Sequence, residues 1–469
     1  MKILVAIANH GTKNRGYLDQ LLAAYRAMPW DVHLVVLSDK PKTDLGDDVE
    51  VLVGAPSKDP WSLPFAHRPL FRDRVDDYDL FLYSEDDTLL TETNLRAWME
   101  VQAQLPPHQV AGFLRNEYYP DGKLSYCGVH YHYHWDVHRI GRVGAEVWAH
   151  YTNEHSALYV LNQAQLRHCL ASGGYTIEPH QGRYDMLVSA ASDPYTRCGL
   201  ERVICVTRLP EFLLRHLPNI YIGRIGVHED DFQPQLDRVE QIAKGELAPQ
   251  ELFDPVVRLD VPREAWNKDY YPRPEPLYRE ALQLDGASVL SVGMGAGFLE
   301  ADWIEAGAQV TGIPVDAVIG AMAARRGVRV LEADLERAIA QVGSDRFDAI
   351  VLHHTLEHLP NPTRWLERLT TLLAPSGHLV LWVANQPGRK VRFRVRKEAY
   401  PLAAHASFEE AHYHETNPKV VRHWVREAGL RPDRIRYQLR DKAARVAPYA
   451  LGLLDPYLAD SFLLTARRP

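Results

Sequence analysis

Three consecutive acidic residues, Glu85, Asp86 and Asp87, directly follow the apolar run Leu-Phe-Leu-Tyr-Ser that begins at Leu80. Carboxylates crowded at the carboxyl end of a strand repel one another, and a hard divalent cation that also binds diphosphate oxygens offsets that repulsion. The pattern therefore predicts a metal site for a nucleotide-sugar diphosphate. The alternative for such a triplet is a solvated turn.

Three glycines at alternate positions, Gly293, Gly295 and Gly297, separate an apolar run from a helical segment that starts at Phe298. A loop without side chains lets a ligand approach the backbone at the start of a helix. The spacing predicts a loop that binds a nucleotide-type cofactor. The alternative is a tight strand-to-helix turn with no ligand.

A histidine-rich segment follows another apolar run and contains His353, His354 and His358. An imidazole titrates near neutral pH, so it can remove a proton from a hydroxyl group that receives a transferred group. We therefore predict His354 and His358 as bases. The alternative is that Glu357 and His358 only stabilise a short helix after the strand.

Two further patterns carry polar side chains. His130, His132 and His134 alternate with aromatic residues, which predicts a groove for sugar rings or a sheet face rather than a transition-metal site. Basic and apolar residues alternate from 389 to 397, which is typical of a solvated strand face, with contact to an anion as the alternative.

Apolar runs alternate with helical patterns along the whole chain, as in parallel β-α-β units. We predict an α/β protein with two doubly wound sheets, in domains 1–228 and 277–469, joined by a proline-rich linker at 229–276 that contains one helix near 236–243. The predicted strands are 2–8, 32–37, 49–53, 80–83, 110–114, 157–161 and 203–206 in the first domain, and 288–292, 310–313, 328–331, 349–352 and 378–383 in the second.

The composition excludes several classes of protein. The chain has 469 residues, of which 46% are hydrophobic and 24% charged, so it is neither disordered nor a small disulfide scaffold. Its formal net charge of −8 gives no overall attraction to nucleic acid or to an anionic membrane. Four cysteines without CxxC spacing predict a reducing compartment, and the lack of a long apolar stretch predicts no transmembrane segment. We therefore expect a cytoplasmic protein that does not bind nucleic acid.

The second half of the chain resembles the class I S-adenosylmethionine-dependent methyltransferases of the small-molecule type. The resemblance covers about residues 280–435, and the order of the motifs carries it. After the glycine loop come Leu-Glu-Ala-Asp-Leu-Glu at 331–336, the strand and histidines of 347–360, a turn into a strand at 373–382, and His-Tyr-His-Glu-Thr-Asn-Pro at 412–418.

This resemblance implies roles for residues of each motif, with S-adenosylmethionine as the cofactor. The three glycines would lie against the methionine portion of the cofactor. Asp334 would accept a hydrogen bond from the adenine amino group, and His353 and His354 would face the cofactor from the end of the fourth strand.

The sequence departs from that family at two positions. The family usually has acids where this chain has Ser291 and Pro314, and the second acid bonds the ribose hydroxyls. Loss of such a charge-assisted contact costs roughly 1.5–3 kcal/mol, or about tenfold to a hundredfold in affinity. Asp316 is the predicted substitute. Without a substitute, the domain would bind the cofactor weakly or would serve as a structural partner.

The first half resembles metal-dependent GT-A glycosyltransferases, in particular the Glu-Asp-Asp form of their DxD-type motif at Glu85 to Asp87. The resemblance implies that Asp87 binds a manganese or magnesium ion directly, and that Glu85 and Asp86 belong to the same metal site, held by the nucleotide or by hydrogen bonds around the metal ligand. His228 or His216 would complete the metal site. An inverting transfer needs a carboxylate base, for which the candidates are Asp185 and Glu178.

The two resemblances together predict a bifunctional transferase. One half would add a sugar from a nucleotide-sugar donor, and the other would methylate a glycan or glycoconjugate, as in the biosynthesis of a bacterial surface polysaccharide. Tethering the two sites would raise the effective concentration of the shared acceptor. The alternatives are a methyltransferase whose first half only binds or positions carbohydrate, and a glycosyltransferase whose second half is an interaction domain.

Overall fold

The structure is a computed structural model that describes residues 1–130, 132–155, 157–253, 268–385, 408, 413–439, 456 and 459–469. The chain divides into two compact units, residues 1–246 and 247–469. None of the helices in the described ranges is long and apolar enough to cross a membrane. The basic segment 389–397, His412 and positions 254–267 of the predicted linker lie outside the described residues.

The first unit contains a large sheet, two smaller sheets and six α-helices among its described residues. Its strands are β1 Lys2–Asn9, β2 Asp31–Ser38, β3 Val49–Val53, β4 Leu80–Glu85, β5 Thr88–Leu89, β6 Gln109–Ala111, β7 Leu114–Tyr118, β8 Leu124–Tyr126, β9 Trp135–Val143, β10 Glu146–Tyr151, β11 Leu158–Asn162, β12 Glu201–Cys205, β13 Leu213–His216 and β14 Val227–His228. Its helices are α1 Arg15–Arg26, α2 His67–Asp73, α3 Glu92–Gln102, α4 Gln163–Ser172, α5 Met186–Thr196 and α6 Glu229–Ala243, with 3₁₀ segments at Pro60–Ala66 and Leu209–Phe212.

The large sheet has the strand order β11-β4-β1-β2-β3, in which only β11 runs antiparallel to its neighbour. Every residue of β1 after the first is buried, as expected for a central strand covered on both faces. Because β1 and β4 are parallel neighbours, their carboxyl ends meet at one edge of the sheet. The acidic triplet that begins at Glu85 lies at that edge.

The smaller sheets have the orders β6-β12-β10-β9 and β14-β8-β7-β13-β5. The predicted single strand at 110–114 is wrong, since the structure divides it between β6 and β7, which belong to different sheets. The buried side chain of Arg202 lies at the break: its Cγ is only 2.4 Å from where a Cβ on Gly112 would be, and its guanidinium donates to the carbonyl of Phe113. The first unit is therefore mixed α/β and more complex than one doubly wound sheet.

The boundary between the units also differs from the predicted one. The sequence predicts a linker from 229, but α6 begins there and packs against β8, β9 and β14 of the first unit. The predicted helix at 236–243 is the second half of α6.

The second unit is built around one seven-stranded sheet in the described part of the chain. Its strands are β15 Ser288–Met294, β16 Gln309–Pro314, β17 Arg329–Val330, β18 Phe347–His353, β19 Leu373–Ala384, β20 Arg431–Gln438 and β21 Ser461–Arg467. Its helices are α7 Pro276–Ala281, α8 Phe298–Glu305, α9 Gly320–Arg325, α10 Leu335–Val342, α11 Pro362–Thr370 and α12 Pro418–Glu427, with a 3₁₀ turn at Leu356–His358.

The sheet of the second unit has the order β17-β16-β15-β18-β19-β21-β20, and β21 runs antiparallel to both of its neighbours. The predicted strands of this half are confirmed. The order reverses between β15 and β18, and ligands of open α/β sheets bind beyond the carboxyl ends of strands at such a reversal. The glycine loop follows β15 and the histidines follow β18, so both motifs lie at that position.

Candidate functional site

The acidic cluster of the first unit lies where β4 ends. Glu85, the last residue of β4, is paired with Ala8 of β1, and the following Asp86 lies next to Asn9. The side-chain amides of Asn9 and Asn14 both donate to Asp86, the second at 2.8 Å. The apolar strands thus bring the predicted acids to one edge of the sheet, and amide donors stabilise one of them.

The three carboxylates of this cluster differ in acidity. Burial, followed by the negative charge of Asp87, raises the pKa of Glu85. Burial also raises the pKa of Asp86 to about 6. Burial acts in the same direction on Asp87, but the neighbouring His216 and the charge of Arg115 outweigh it and hold the pKa of Asp87 below its ordinary value. Asp87 is therefore the most readily ionised of the three, as a cation ligand must be.

His216 is held beside Asp87 by a further carboxylate. Its Nε2 lies 3.6 Å from Asp87 Oδ2, and its Nδ1 donates to Glu117 Oε1 at 2.6 Å. Glu117 also accepts from the backbone N–H groups of Ile220 and Tyr221, each at 2.9 Å. A carboxylate bonded to one ring nitrogen fixes the direction of the other, which is how many metal-binding histidines are oriented.

Of the two histidines predicted near the acids, His216 is the one that contacts Asp87. His228 caps the start of α6: its Nδ1 accepts from the Asp230 N–H at 3.1 Å, and its ring lies 4.9 Å from the ring of Tyr119. The sequence could not choose between them, because pairing of β13 with β5 brings His216 to the cluster from far along the chain.

Asp185, the predicted base, begins α5. Its Oδ1 accepts from the Val188 N–H at 2.9 Å, so the carboxylate caps the helix. Burial and the charge of Asp87 raise the pKa of Glu85, and the charge of Asp185 adds a smaller effect in the same direction. Glu178, the other candidate, is exposed.

The histidines at 130–134 do not share a strand face as expected. They precede β9, which begins at Trp135. His130 Nε2 bonds the carbonyl of Cys127 at 2.9 Å, and burial lowers the pKa of His134 to about 3. These contacts pack the turn before β9.

In the second unit, each glycine of the predicted cofactor loop permits a close approach of the chain to itself. A Cβ on Gly293 would lie 2.1 Å from Thr355 Oγ1, and one on Gly297 would lie 2.6 Å from the Cβ of Ala323. A Cβ on Gly295 would lie 2.2 Å from the carbonyl oxygen of Tyr270. That carbonyl also accepts from the Ala296 N–H at 2.6 Å, so the backbone of residue 270 lies directly across the loop.

A lysine that the sequence analysis did not single out lies beneath this loop. Lys268 is buried, and its Nζ donates to the carbonyl oxygens of Gly293 and His353 and to Thr355 Oγ1. Burial lowers the pKa of Lys268 to about 8. No sequence signal marked it, because it lies in proline-rich sequence outside any periodic pattern.

Ser291, which stands where the resembled family has an acid, contacts a carboxyl group of α8. Ser291 Oγ donates to Glu300 Oε1 at 2.6 Å, and both side chains are buried. Burial raises the pKa of Glu300, and within the described residues its Oε2 has no hydrogen-bond partner. A carboxyl group therefore lies beside Ser291, although it comes from the next helix.

The two predicted adenosine contacts both stand at helix starts. Asp316 Oδ1 accepts from the N–H groups of Val318 and Ile319 at 2.8 and 2.7 Å, just before α9. Asp334 Oδ1 accepts from the Arg337 N–H at 2.8 Å and caps α10. Each carboxylate is thus fixed by backbone donors near a strand end.

The three histidines after β18 have different surroundings. His354 Nδ1 lies 3.1 Å from Glu357 Oε1, and its φ of +45° is a left-handed conformation that is unusual outside glycine. His353 Nδ1 lies 2.7 Å from the hydroxyl of Tyr278. His358 stacks on Phe253, with ring centres 4.8 Å apart.

Glu357 orients His354 from a buried position. Burial acts to raise the pKa of Glu357, but the hydrogen bond and charge of His354 outweigh it, so the carboxylate stays ionised. It also accepts from the Ala384 N–H at 3.1 Å. The structure therefore joins His354 to a fixed carboxylate, whereas the contacts of His358 include stacking with aromatic rings.

Comparison with known protein families identifies the kind of domain that has this topology and loop arrangement. Residues 266–434 match the family model described as a methyltransferase domain. The second unit therefore contains a methyltransferase domain with a Rossmann-like fold.

Each of the relatives that follow aligns with only part of this chain. This chain is 30% identical over 155 residues to the ubiquinone biosynthesis O-methyltransferase of Alkalilimnicola ehrlichii. The aligned region is 31% of this chain and 62% of that relative. The enzyme of the same name from Dechloromonas aromatica is 25% identical over 209 residues, covering 43% of this chain and 85% of the relative. A methyltransferase structure from Mesorhizobium loti has 17% identity and a TM-score of 0.31, with 41% of this chain and 96% of that one covered.

Proposed function

We propose that the second unit binds S-adenosylmethionine at the carboxyl ends of β15 and β18 and methylates a hydroxyl oxygen. The observation that carries the proposal is the buried His354–Glu357 pair at the switch point of a methyltransferase domain, next to the glycine loop. The O-methyltransferase activity named for two relatives supports an oxygen acceptor.

The residues at this position fit the cofactor chemically. The methionine end of S-adenosylmethionine carries an ammonium, and the carbonyls of Gly293 and His353 already converge on an ammonium, that of Lys268. Asp316 and Asp334 provide carboxylates near the next two strand ends for the ribose and adenine. When bound, the cofactor supplies an electrophilic methyl group on its sulfonium.

His354 is the residue that holds the proton in this proposal. The Glu357 carboxylate accepts a hydrogen bond from Nδ1 of His354. The other ring nitrogen of His354, Nε2, is then left to take the proton of the acceptor hydroxyl. The carboxylate stabilises the imidazolium that results, and the buried surroundings strengthen that interaction. His358 remains a predicted base, although its stacking on Phe253 favours a packing role.

Calorimetric titration of the full chain with S-adenosylhomocysteine tests cofactor binding. We expect one site, and Asp334→Ala should weaken it about tenfold or more by loss of the adenine contact. Asn361→Ala is the matched control, because Asn361 caps α11 through the Arg364 N–H as Asp334 caps α10. The proposal fails if the wild-type protein shows no binding at millimolar ligand.

We further propose that the first unit is a glycosyltransferase that uses a nucleotide-sugar donor and a divalent cation. The specific observation in its favour is the contact of ionised Asp87 with His216, which Glu117 orients. A carboxylate suits manganese or magnesium bound to diphosphate oxygens, and an imidazole beside it favours the transition metal manganese over magnesium. Together the two units would act on one glycan or glycoconjugate.

Titration with UDP in the presence and absence of manganese tests this second function. Asp87→Asn and His216→Gln should abolish the manganese dependence of UDP binding, whereas His228→Gln should leave it unchanged. If UDP binds equally well without manganese, or His228→Gln has the larger effect, the proposed metal site is wrong.

A further inference from the structure

The Lys268 ammonium donates hydrogen bonds to acceptors at the carboxyl ends of β15 and β18. The ladder between β15 and β18 ends at the pair Val292 and Leu352, so the carbonyls of Gly293 and His353 lie beyond it. Buried carbonyls need donors, and an ammonium has three N–H bonds. The two carbonyls and Thr355 Oγ1 match those three donors.

The chain around Lys268 also covers the other side of the loop. Two residues later, the Tyr270 carbonyl accepts from the Ala296 N–H and lies where any side chain on Gly295 would be. The stretch 268–270 therefore contacts both the Gly293 carbonyl and the Ala296 amide of the loop, which the methyltransferase proposal assigns to the methionine end of the cofactor.

Nearby charges keep this buried amine in its ammonium form. Burial lowers the pKa of Lys268 to about 8, and the negative charges of Glu357, Glu300 and Asp269 oppose that effect. At neutral pH the side chain is therefore mostly charged. It has the same functional group, in the same charge state, as the α-amine of an amino acid.

We propose that the Lys268 ammonium occupies the position of the cofactor's α-ammonium group. The chain would then compete with the amino-acid end of its own cofactor. This proposal rests on the methyltransferase function. Two ammonium groups cannot share these acceptors, because like charges repel at such distances. Lys268 thus sets the specificity of the site: the adenosine end of a ligand binds freely, and the amino-acid end binds only when Lys268 moves.

Two ligands that differ at the amino-acid end test the proposal in the full chain. S-adenosylhomocysteine carries the amine and carboxylate, whereas 5′-methylthioadenosine lacks both. In the wild-type protein we expect their affinities to agree within about threefold. Lys268→Ala should raise the affinity for S-adenosylhomocysteine about tenfold or more, since it frees acceptors for a charged donor, and should leave that for 5′-methylthioadenosine unchanged.

Controls separate this effect from general changes in the protein. Lys419→Ala, at an exposed lysine of α12 in the same unit, should change neither affinity. Should Lys268→Ala fail to give a cooperative thermal transition, Lys268→Met keeps the packing of the stem and removes the three donors, and the ratio of affinities in the wild-type protein needs no variant.

The outcomes distinguish this inference from the function on which it rests. If the wild-type protein prefers S-adenosylhomocysteine by a hundredfold and Lys268→Ala or Lys268→Met weakens that preference, Lys268 aids the cofactor, and the competition proposal is overturned while the function stands. If neither ligand binds any form at millimolar concentration, the methyltransferase function fails and this inference fails with it.

Discussion

Ser291 and Glu300 show how an acidic side chain from another element can lie beside a position where the resembled family has an acid. The resembled family has an acid where this chain has Ser291, and the structure brings the Glu300 carboxylate to 2.6 Å from the Ser291 hydroxyl. Both residues are buried, at 2% exposure each, so the hydrogen bond is not replaced by water if it is lost. The hydrogen bond to α8 therefore joins the position of this departure to a carboxyl group of a neighbouring element.

Loss of the Ser291 hydroxyl should destabilise the second unit. Ser291→Ala leaves a buried carboxylate oxygen without its donor, which costs about 1–3 kcal/mol of unfolding free energy. In a Glu300→Met background the same substitution should cost at least about 0.5 kcal/mol less, because the carboxylate is gone. Urea unfolding measures both. Ser288→Ala, at the start of β15, is the control, and an equal loss there would contradict the assignment.

The residues that sequence reasoning missed all act through partners that are distant in the sequence. Lys268 acts through backbone carbonyls at 293 and 353, which no side-chain pattern reveals. Glu117 was missed because it lies in β7 without a motif and reaches His216 only through the pairing of β7 with β13. The acids at 85–87 and the glycine loop could be predicted because their chemistry is contiguous in sequence.

At the scale of elements, the turn from β15 into α8 depends on contact with α9. Gly297 has a φ of +84° and stands directly before α8, and a Cβ there would lie 2.6 Å from the Cβ of Ala323. Two separate constraints thus favour glycine at this position, one from the backbone and one from helix packing.

Replacement of Gly297 should reveal both constraints. Gly297→Ala pays about 1–2 kcal/mol for the left-handed backbone, and the collision with Ala323 adds roughly 1–3 kcal/mol. Gly429→Ala is the matched control, because Gly429 has a φ of +73° with no atom within 4 Å of its Cβ position. Urea midpoints of the two variants should therefore differ. Equal losses of stability in the two variants would show that α9 can move away from residue 297 at no cost in free energy.

Most elements could be predicted, because continuous apolar runs with helical patterns between them specify parallel strands. The failures occur where side-chain contacts that no apolar pattern shows accompany a change of local structure. Arg202, distant in sequence, lies against Gly112 where the strand predicted at 110–114 is divided. Polar contacts such as that of His130 with the carbonyl of Cys127 accompany the turn where a strand face was expected.

At the scale of the whole molecule, buried histidines should make the first unit sensitive to acid. Burial, followed by the charge of Arg139, lowers the pKa of His150 to about 4, and burial lowers that of His134 to about 3. Unfolded histidine binds a proton near pH 6.5. Between pH 6.5 and those lower values the unfolded state holds more protons, so the unfolding free energy falls as the pH falls.

Each such histidine should contribute a slope of roughly 1.4 kcal/mol per pH unit in that window. His150→Gln should therefore flatten the pH dependence of urea unfolding between pH 6.5 and 4.5. The exposed His108 provides the control, and His108→Gln should leave the slope unchanged. A slope in His150→Gln as steep as that of the wild-type protein would contradict the burial argument.

Each unit has its own apolar core, one formed by residues between Ile3 and Leu214 and the other by residues between Tyr278 and Leu463. We therefore expect fragments 1–246 and 247–469 to fold separately. Each fragment should show one cooperative thermal transition, within about 3 °C of the corresponding transition of the full chain.

The exact end of the first fragment should decide its stability, because α6 completes the unit. Phe232, Leu236 and Val239 are buried on its inner face, and the ring of Phe232 lies 4.6 Å from that of Tyr126. Burial of each such side chain contributes roughly 1.5–3 kcal/mol. A fragment ending at 228, the boundary expected from the sequence, should therefore lose several kcal/mol relative to 1–246 and expose the apolar surface that α6 covers. Calorimetry and dye binding of the two fragments make the comparison. Equal stability would mean that α6 belongs to the linker after all, and aggregation of 1–246 would mean that the first core is incomplete without the second unit.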